Sequence, residues 1–241
     1  MSAGPVLDRE QLPPAGQSDV CLFSADSSYF LDFADIPLRS ATEAGWDVHF
    51  HFHVMNPTPE ALDRAAMLRK QFPMSVSFAD VPPSKALYAS GRYLIAEQVM
   101  QHCDRPIWIM DIDLAYEDSP SELFGSMGWR RDALGLRYTD DLALPWQRMT
   151  ANAMYVPPTG QGRAYLGLVA HFLKLHLLSG PVGRDLWWVD QNALIFALLE
   201  TSERYSEPWQ VWGPRLPRIL RLPELYKPSA QERRQTLTSP Q

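Results

Sequence analysis

Apolar residues recur at two different spacings along this chain, and the alternation between the two organises its first 200 residues. Val20 to Ser24 is a short apolar run of strand length. Trp46 to Val54 (WDVHFHFHV) alternates strictly, which puts Val48, Phe50, Phe52 and Val54 on one face of a strand and His49, His51 and His53 on the other. Asn56-Pro57 breaks that strand, and a helix is predicted from Thr58, with Pro59 in its first turn, to about Phe72. Met74 to Phe78 reads as a strand. Ser84 to His102 carries Leu87, Leu94, Ile95 and Val99 at helical spacing behind a plausible Ser84 cap. Pro106 to Met110 (PIWIM) is an uninterrupted apolar strand that runs into Asp111-Ile112-Asp113. Farther on, Asp132 to Tyr138 and Ala153 to Val156 read as strands, and Arg163 to Leu178 and Arg184 to Leu199 as helices. Strands alternating with helices predict an α/β fold, a Rossmann-like and mostly parallel central sheet flanked by helices on both faces.

Composition narrows the class. Of 241 residues, 46% are hydrophobic and 21% charged, which excludes wholesale disorder and a coiled coil. The net charge of −6 supplies no basic face for nucleic acid, so none is expected as a partner. Charge is uneven: residues 201–241 carry a local +3 and six of the 21 prolines. Three units are therefore expected: a flexible N-terminal segment 1–18, a domain 19–200, and a Pro-rich basic segment 201–241 that wraps it. Cys21 and Cys103 lie in apolar surroundings and read as reduced core thiols. No signal peptide is evident at the N-terminus, and the apolar stretch Ala164 to Leu178 is interrupted by His171, Lys174 and His176. A cytoplasmic protein without a transmembrane segment is the expectation.

The chemistry centres on Asp111 and Asp113. Ligands of open α/β sheets bind beyond the carboxyl ends of the strands, and two carboxylates leaving a buried strand repel unless a cation or hydrogen bonds compensate. Hard oxygen donors suit Mg²⁺ or Mn²⁺, and such a cation can neutralise a diphosphate.

With these residues in place, the chain resembles GT-A fold glycosyltransferases, most nearly glycosyltransferase family eight and its relatives. The resemblance runs over roughly Val20 to Leu199. Phe23-Ser24-Ala25-Asp26-Ser27-Ser28-Tyr29 is similar to the family's nucleotide-binding opening, and His49-Phe50-His51-Phe52 to its second strand. The helix with Gly91-Arg92-Tyr93-Leu94 precedes Trp108-Ile109-Met110-Asp111-Ile112-Asp113 as the family's arginine-bearing helix precedes its metal-binding DxD. Asn152-Ala153 and Asp190-Gln191 resemble its sites around donor sugar and acceptor.

The resemblance implies a nucleoside-diphosphate sugar donor, most simply a UDP-sugar, a divalent metal, and transfer to an acceptor that is a glycan, a protein or a small molecule. It implies donor contacts from Ser24, Asp26, Tyr29, Arg92, Asp111, Ile112 and Asn152, metal ligation by Asp111 and Asp113, and catalytic roles for Asp190, Gln191 and Arg92. It departs in one respect: the family closes its metal site with a histidine near the C-terminus, and no histidine follows His176 here. Two alternatives remain, a non-catalytic sugar-nucleotide-binding or scaffold protein of the same fold and a phosphohydrolase of the haloacid-dehalogenase type.

Other candidates have plainer expected roles. Histidines two apart on a strand are about 6.6 Å apart and the outer pair about 13 Å, too far for His49, His51 and His53 to share one ion. They are expected to be packed or hydrogen-bonded, His171 and His176 half-buried, Arg130 and Arg131 solvated, Trp187 and Trp188 in the core. Asp190-Gln191-Asn192 reads as a polar trio inside an apolar helix, facing a pocket.

Overall fold

A computed structural model describes residues 12–14, 16, 18–116, 124–125, 128–138, 143–178, 186, 188–206 and 209–212. Its elements follow in the order β1 (Asp19–Asp26), α1 (Ser27–Phe33), α2 (Asp35–Glu43), β2 (Val48–Met55), α3 (Pro59–Arg69), β3 (Met74–Ala79), α4 (Lys85–Cys103), β4 (Ile107–Met110), β5 (Leu134–Tyr138), α5 (Pro145–Arg148), β6 (Met149–Val156), α6 (Gly160–Leu173), α7 (Val189–Arg204) and β7 (Trp209–Trp212). One seven-stranded sheet runs β3-β2-β1-β4-β6-β5-β7. Its first four strands are parallel, β6 runs antiparallel to both β4 and β5, and β7 pairs with β5 in parallel. Strand order turns back between β1 and β4, the switch point at which an open sheet offers a crevice.

Two apolar cores cover the two faces. Phe23, Phe50, Phe52 and Trp108 face α1, α2 and α3, while Leu22, Ile107, Ile109 and Met154 face α4, α6 and α7. Ile107, Trp108, Ile109 and Met110 are buried on both sides, and a fully buried large apolar side chain contributes about 1.5–3 kcal/mol. This strand is thus a rigid base for the residues that follow it. Cys21 and Cys103 are free and buried, as expected.

The helix starts are written in their caps: Thr58 Oγ1 accepts from the Ala61 amide (3.3 Å), Ser84 Oγ from Leu87 (3.3 Å) and Thr159 Oγ1 from Gly162 (3.2 Å). Gly162 is required by close approach, since a Cβ there would lie 2.1 Å from the Pro157 carbonyl oxygen. A polar knot fastens the carboxyl ends of the strands. Asn56 adopts a left-handed backbone (φ 52°); its Oδ1 accepts from the Val81 amide (2.8 Å) and its Nδ2 donates to the Tyr88 hydroxyl (2.9 Å). Ser27 Oγ donates to the Asn56 carbonyl (2.7 Å) and accepts from the Thr58 amide (2.9 Å).

The three strand histidines are hydrogen-bonded, as expected. His49 Nε2 meets Ser75 Oγ at 3.0 Å, Ser75 Oγ meets His51 Nδ1 at 2.8 Å, His51 Nε2 meets Ser77 Oγ at 3.1 Å and Ser77 Oγ meets His53 Nδ1 at 2.9 Å. Arg130 and Arg131 are solvated and pair with Asp132 and Asp19.

Several expectations are corrected. His171 and His176 are exposed, not half-buried: the face of α6 carrying Tyr165, Leu166, Val169, Ala170 and Leu173 is the one that packs, and His171 falls away from it. The predicted single helix to Leu178 ends at Leu173 and continues as a π-helical turn, Lys174–Leu178. Trp188 is exposed because it precedes α7 as its cap residue and lies off the buried face of the helix; the Trp187 side chain lies outside the described residues. Asp190-Gln191-Asn192 belongs to the first turn of α7, not to a helix interior. Helix α7 extends to Arg204, and Trp209–Trp212 joins the sheet. The expectations for residues 1–11 and 213–241 lie outside the described residues.

Candidate functional site

A cavity of about 540 Å³ opens over the switch point. Ser24 and Asp26 reach it from the end of β1, Tyr29 from α1, Arg92 from α4, Asp111, Ile112 and Asp113 from the turn after β4, Asn152 from β6, and Asp190 and Gln191 from the first turn of α7. All ten residues singled out in the sequence therefore line one space, although they span positions 24 to 191.

Topology explains the convergence. The antiparallel pairing that sets Met110 opposite Ala153 continues one step further, the Asp111 amide donating to the Asn152 carbonyl at 2.8 Å, and this brings Asn152 beside the acidic pair. Arg92 Nη2 pairs with Asp111 Oδ1 (2.7 Å) and donates to the Ala151 carbonyl (2.9 Å), with the Tyr93 hydroxyl 3.4 Å away. Its side chain is 5% exposed, that of Asp111 33% exposed. The guanidinium is thus sealed within the protein while its partner carboxylate faces the cavity.

The two acidic side chains of the turn are held differently. Asp111 meets a cation, whereas Asp113 Oδ2 accepts a hydrogen bond from the Tyr29 hydroxyl at 2.8 Å. Burial raises the Asp111 carboxyl above its ordinary range; Arg92 opposes the rise, and the nearby Asp113 and Asp190 charges add to it. Burial also raises Asp190, against the attraction of Arg92 and the hydrogen bond its Oδ1 accepts from the Gln191 amide (2.8 Å). Among the described residues, four carboxylates, Asp26, Asp111, Asp113 and Asp190, share this cavity with Arg92 and Lys85. The excess of negative charge fits a divalent cation.

Some of these side chains also build the fold. Asp26 Oδ1 caps α1 by accepting from the Tyr29 amide (2.8 Å), and Ser24 Oγ donates to the Tyr88 carbonyl (2.9 Å). In contrast, Arg92 Nε and Asn152 Oδ1 are buried without a hydrogen-bond partner. Each is a polar atom whose burial costs stability until something meets it. Among the described residues, no group of three His, Cys, Asp or Glu side chains converges as a metal site. Asp111 and Asp113 could hold a cation only with further donors from elsewhere, and a diphosphate supplies such oxygens.

Sequence reasoning left out Lys85, Ala89, Thr150 and Ala151, and gave Tyr88 no site role; all line the cavity. For the α4 residues the signal was present: 85, 88, 89 and 92 follow i, i+3, i+4, i+7 spacing, so a pocket that takes Arg92 takes that whole stripe.

No family model and no curated protein matches the sequence. Solved structures do match the fold. The galactosyltransferase LgtC, solved with donor and acceptor sugar analogs, is 15% identical with a TM-score of 0.50, over 73% of this chain and 70% of that one. The glycosyltransferase GlyE of Streptococcus pneumoniae is 10% identical (TM-score 0.50, 81% of this chain), and the bifunctional glycosyltransferase WbbM 12% identical (TM-score 0.50, 82% of this chain). This chain spans 46% of the GlyE chain and 39% of the WbbM chain. The architecture is thus the mixed α/β GT-A type seen in these glycosyltransferases, as expected from the sequence.

Proposed function

We propose that the protein is a glycosyltransferase that moves a sugar from a nucleoside-diphosphate sugar, with UDP as carrier, to a glycan, protein or small-molecule acceptor, assisted by Mn²⁺ or Mg²⁺. The observation that carries this reading is the meeting of Asp111, Asp113, Arg92, Asn152 and Asp190 in one cavity at the switch point of a sheet shared with glycosyltransferases.

In this reading Asp111 and Asp113 hold the metal. The bound cation offsets charge that develops on the leaving diphosphate. Arg92 serves the same end from within the protein: buried and held by Asp111 and the Ala151 carbonyl, its charge needs little reorganisation when the glycosidic bond breaks. Ser24, Asp26 and Tyr29 face the base and ribose, with the Ile112 backbone alongside. Asn152 Oδ1, orphaned in the free protein, accepts from a donor hydroxyl. Asp190 and Gln191, fixed at the start of α7, face the transferred sugar and the incoming hydroxyl. No carboxylate has to act as a strong base if the departing diphosphate takes the acceptor proton.

The test is a thermal-shift titration with UDP, GDP and CMP, each with and without Mn²⁺. A ligand at 100 times its dissociation constant adds about 2.7 kcal/mol, or roughly 5–11 °C for a chain of this size. A metal-dependent shift with UDP that disappears in Asp113→Asn supports the proposal; no shift with any nucleotide at millimolar concentration rejects it. A second reading, a sugar-nucleotide-binding protein without transfer, follows from the absence of a third protein ligand among the described residues, and it predicts the shift without release of UDP from a UDP-sugar.

A further inference from the structure

We infer that Tyr29 is a positioning residue for the metal ion: its hydroxyl orients the Asp113 carboxylate, so that cation affinity at this site depends on a side chain of α1. The inference rests on the reading of Asp111 and Asp113 as metal ligands.

Three observations place Tyr29 for this task. Its hydroxyl donates to Asp113 Oδ2 at 2.8 Å, across 84 positions of sequence. Its backbone is fixed at the start of α1, where its amide donates to Asp26 Oδ1 at 2.8 Å. Its ring packs on Phe33 with centroids 4.6 Å apart. Backbone and ring are thus both anchored, and the hydroxyl has little freedom to leave the carboxylate.

The chemistry of the partner matters as much as the distance. Asp111 is held by a buried guanidinium, which competes with any second cation for its charge. The Tyr29 phenol, in contrast, is neutral: it donates a hydrogen bond to Asp113 and adds no charge of its own. A hydrogen bond to one carboxylate oxygen fixes the plane of the group and with it the direction of the other oxygen. Carboxylates that bind metals are commonly oriented in this way, and loss of such a partner costs about 10- to 100-fold in affinity.

Phenylalanine at position 29 keeps the ring contact with Phe33 and removes only the donor, so Tyr29→Phe is the direct test. Mn²⁺ binding is followed by electron paramagnetic resonance of the free ion, without nucleotide and with saturating UDP, on the wild type, Tyr29→Phe and Asp113→Asn. The expected result is a dissociation constant for Mn²⁺ about tenfold higher in Tyr29→Phe, with a metal-free melting temperature close to that of the wild type, which a merely structural role would lower. Unchanged or tighter Mn²⁺ binding in Tyr29→Phe, with binding lost in Asp113→Asn, overturns the role of Tyr29 alone. Absence of Mn²⁺ binding in the wild type overturns both this role and the metal site on which it rests.

Discussion

At the residue scale, the orphaned atoms of the cavity separate stability from function. Asn152 is 8% exposed and its Oδ1 has no hydrogen-bond partner. An unmet buried acceptor gives the free protein nothing, so removing it costs little, whereas it becomes valuable once a ligand donates to it. Asn152→Ala is therefore expected to melt within about 2 °C of the wild type and to lose most of the extra stabilisation that a UDP-sugar provides over UDP. Parallel melting curves check this. A wild-type response to the UDP-sugar in Asn152→Ala would remove Asn152 from the donor site. The residue was legible beforehand only through family resemblance. Its sequence neighbourhood, Met149 to Val156, is a largely buried strand in which Thr150 and Asn152 stand among mostly apolar side chains, and nothing local says that a polar residue there faces a cavity and not a hydrogen-bond partner.

At the element scale, β2 and β3 carry a device whose two halves were visible separately. Alternation put His49, His51 and His53 on one strand face, and Ser75 and Ser77 alternate in the next strand, but register alone brings each serine between two rings. A serine hydroxyl has one proton, so it donates to one ring nitrogen and accepts from the other. If His51 donates from Nδ1 to Ser75, then Ser75 donates to His49, and Ser77 donates to His51 and accepts from His53. All three neutral rings must then share one tautomer, and reversing one reverses all. Burial opposes any added charge: it holds His51 well below its ordinary value, with His53, His49 and Arg69 acting in the same direction, and lowers His53 to about 4. The unfolded chain titrates near 6.5, so below that pH it binds protons that the folded state refuses, and stability falls as pH falls. At pH 5 the loss is about 2 kcal/mol for each of the two buried histidines, or roughly 8–16 °C together. Melting temperature from pH 7.5 to pH 5 measures it, and a flat profile would show that the ladder accepts charge while folded.

At the scale of the whole molecule, the parallel half of the sheet was legible and the rest was less so. Strands β1 to β4 and helices α3 and α4 announce themselves by period and cap, from Thr58-Pro59 to Ser84. Helices α1 and α2 were missed because α1 is only seven residues long and α2, although amphipathic, starts at Ala34 without a side-chain cap and carries Pro37 in its first turn. The antiparallel placement of β6 depends on a return of the chain that no local pattern encodes, yet it is what sets Asn152 beside Asp111. The site thus lies on the seam between a half that sequence specifies well and a half that tertiary pairing specifies. Among the described residues, that seam gathers four carboxylates with one buried guanidinium and Lys85, an arrangement suited to a cation. Neutralising Asp113 relieves the repulsion it exerts on Asp111, and asparagine still offers Tyr29 an acceptor. Asp113→Asn is accordingly expected to raise the ligand-free melting temperature by about 2–4 °C, the equivalent of about 1 kcal/mol, while abolishing the gain from Mn²⁺ with UDP. Calorimetry of both proteins, with and without metal and nucleotide, tests the two effects in one experiment. A lower ligand-free melting temperature in the variant would mean that the Asp113 charge is already balanced within the protein, and that the acidic cavity is not held in readiness for a cation.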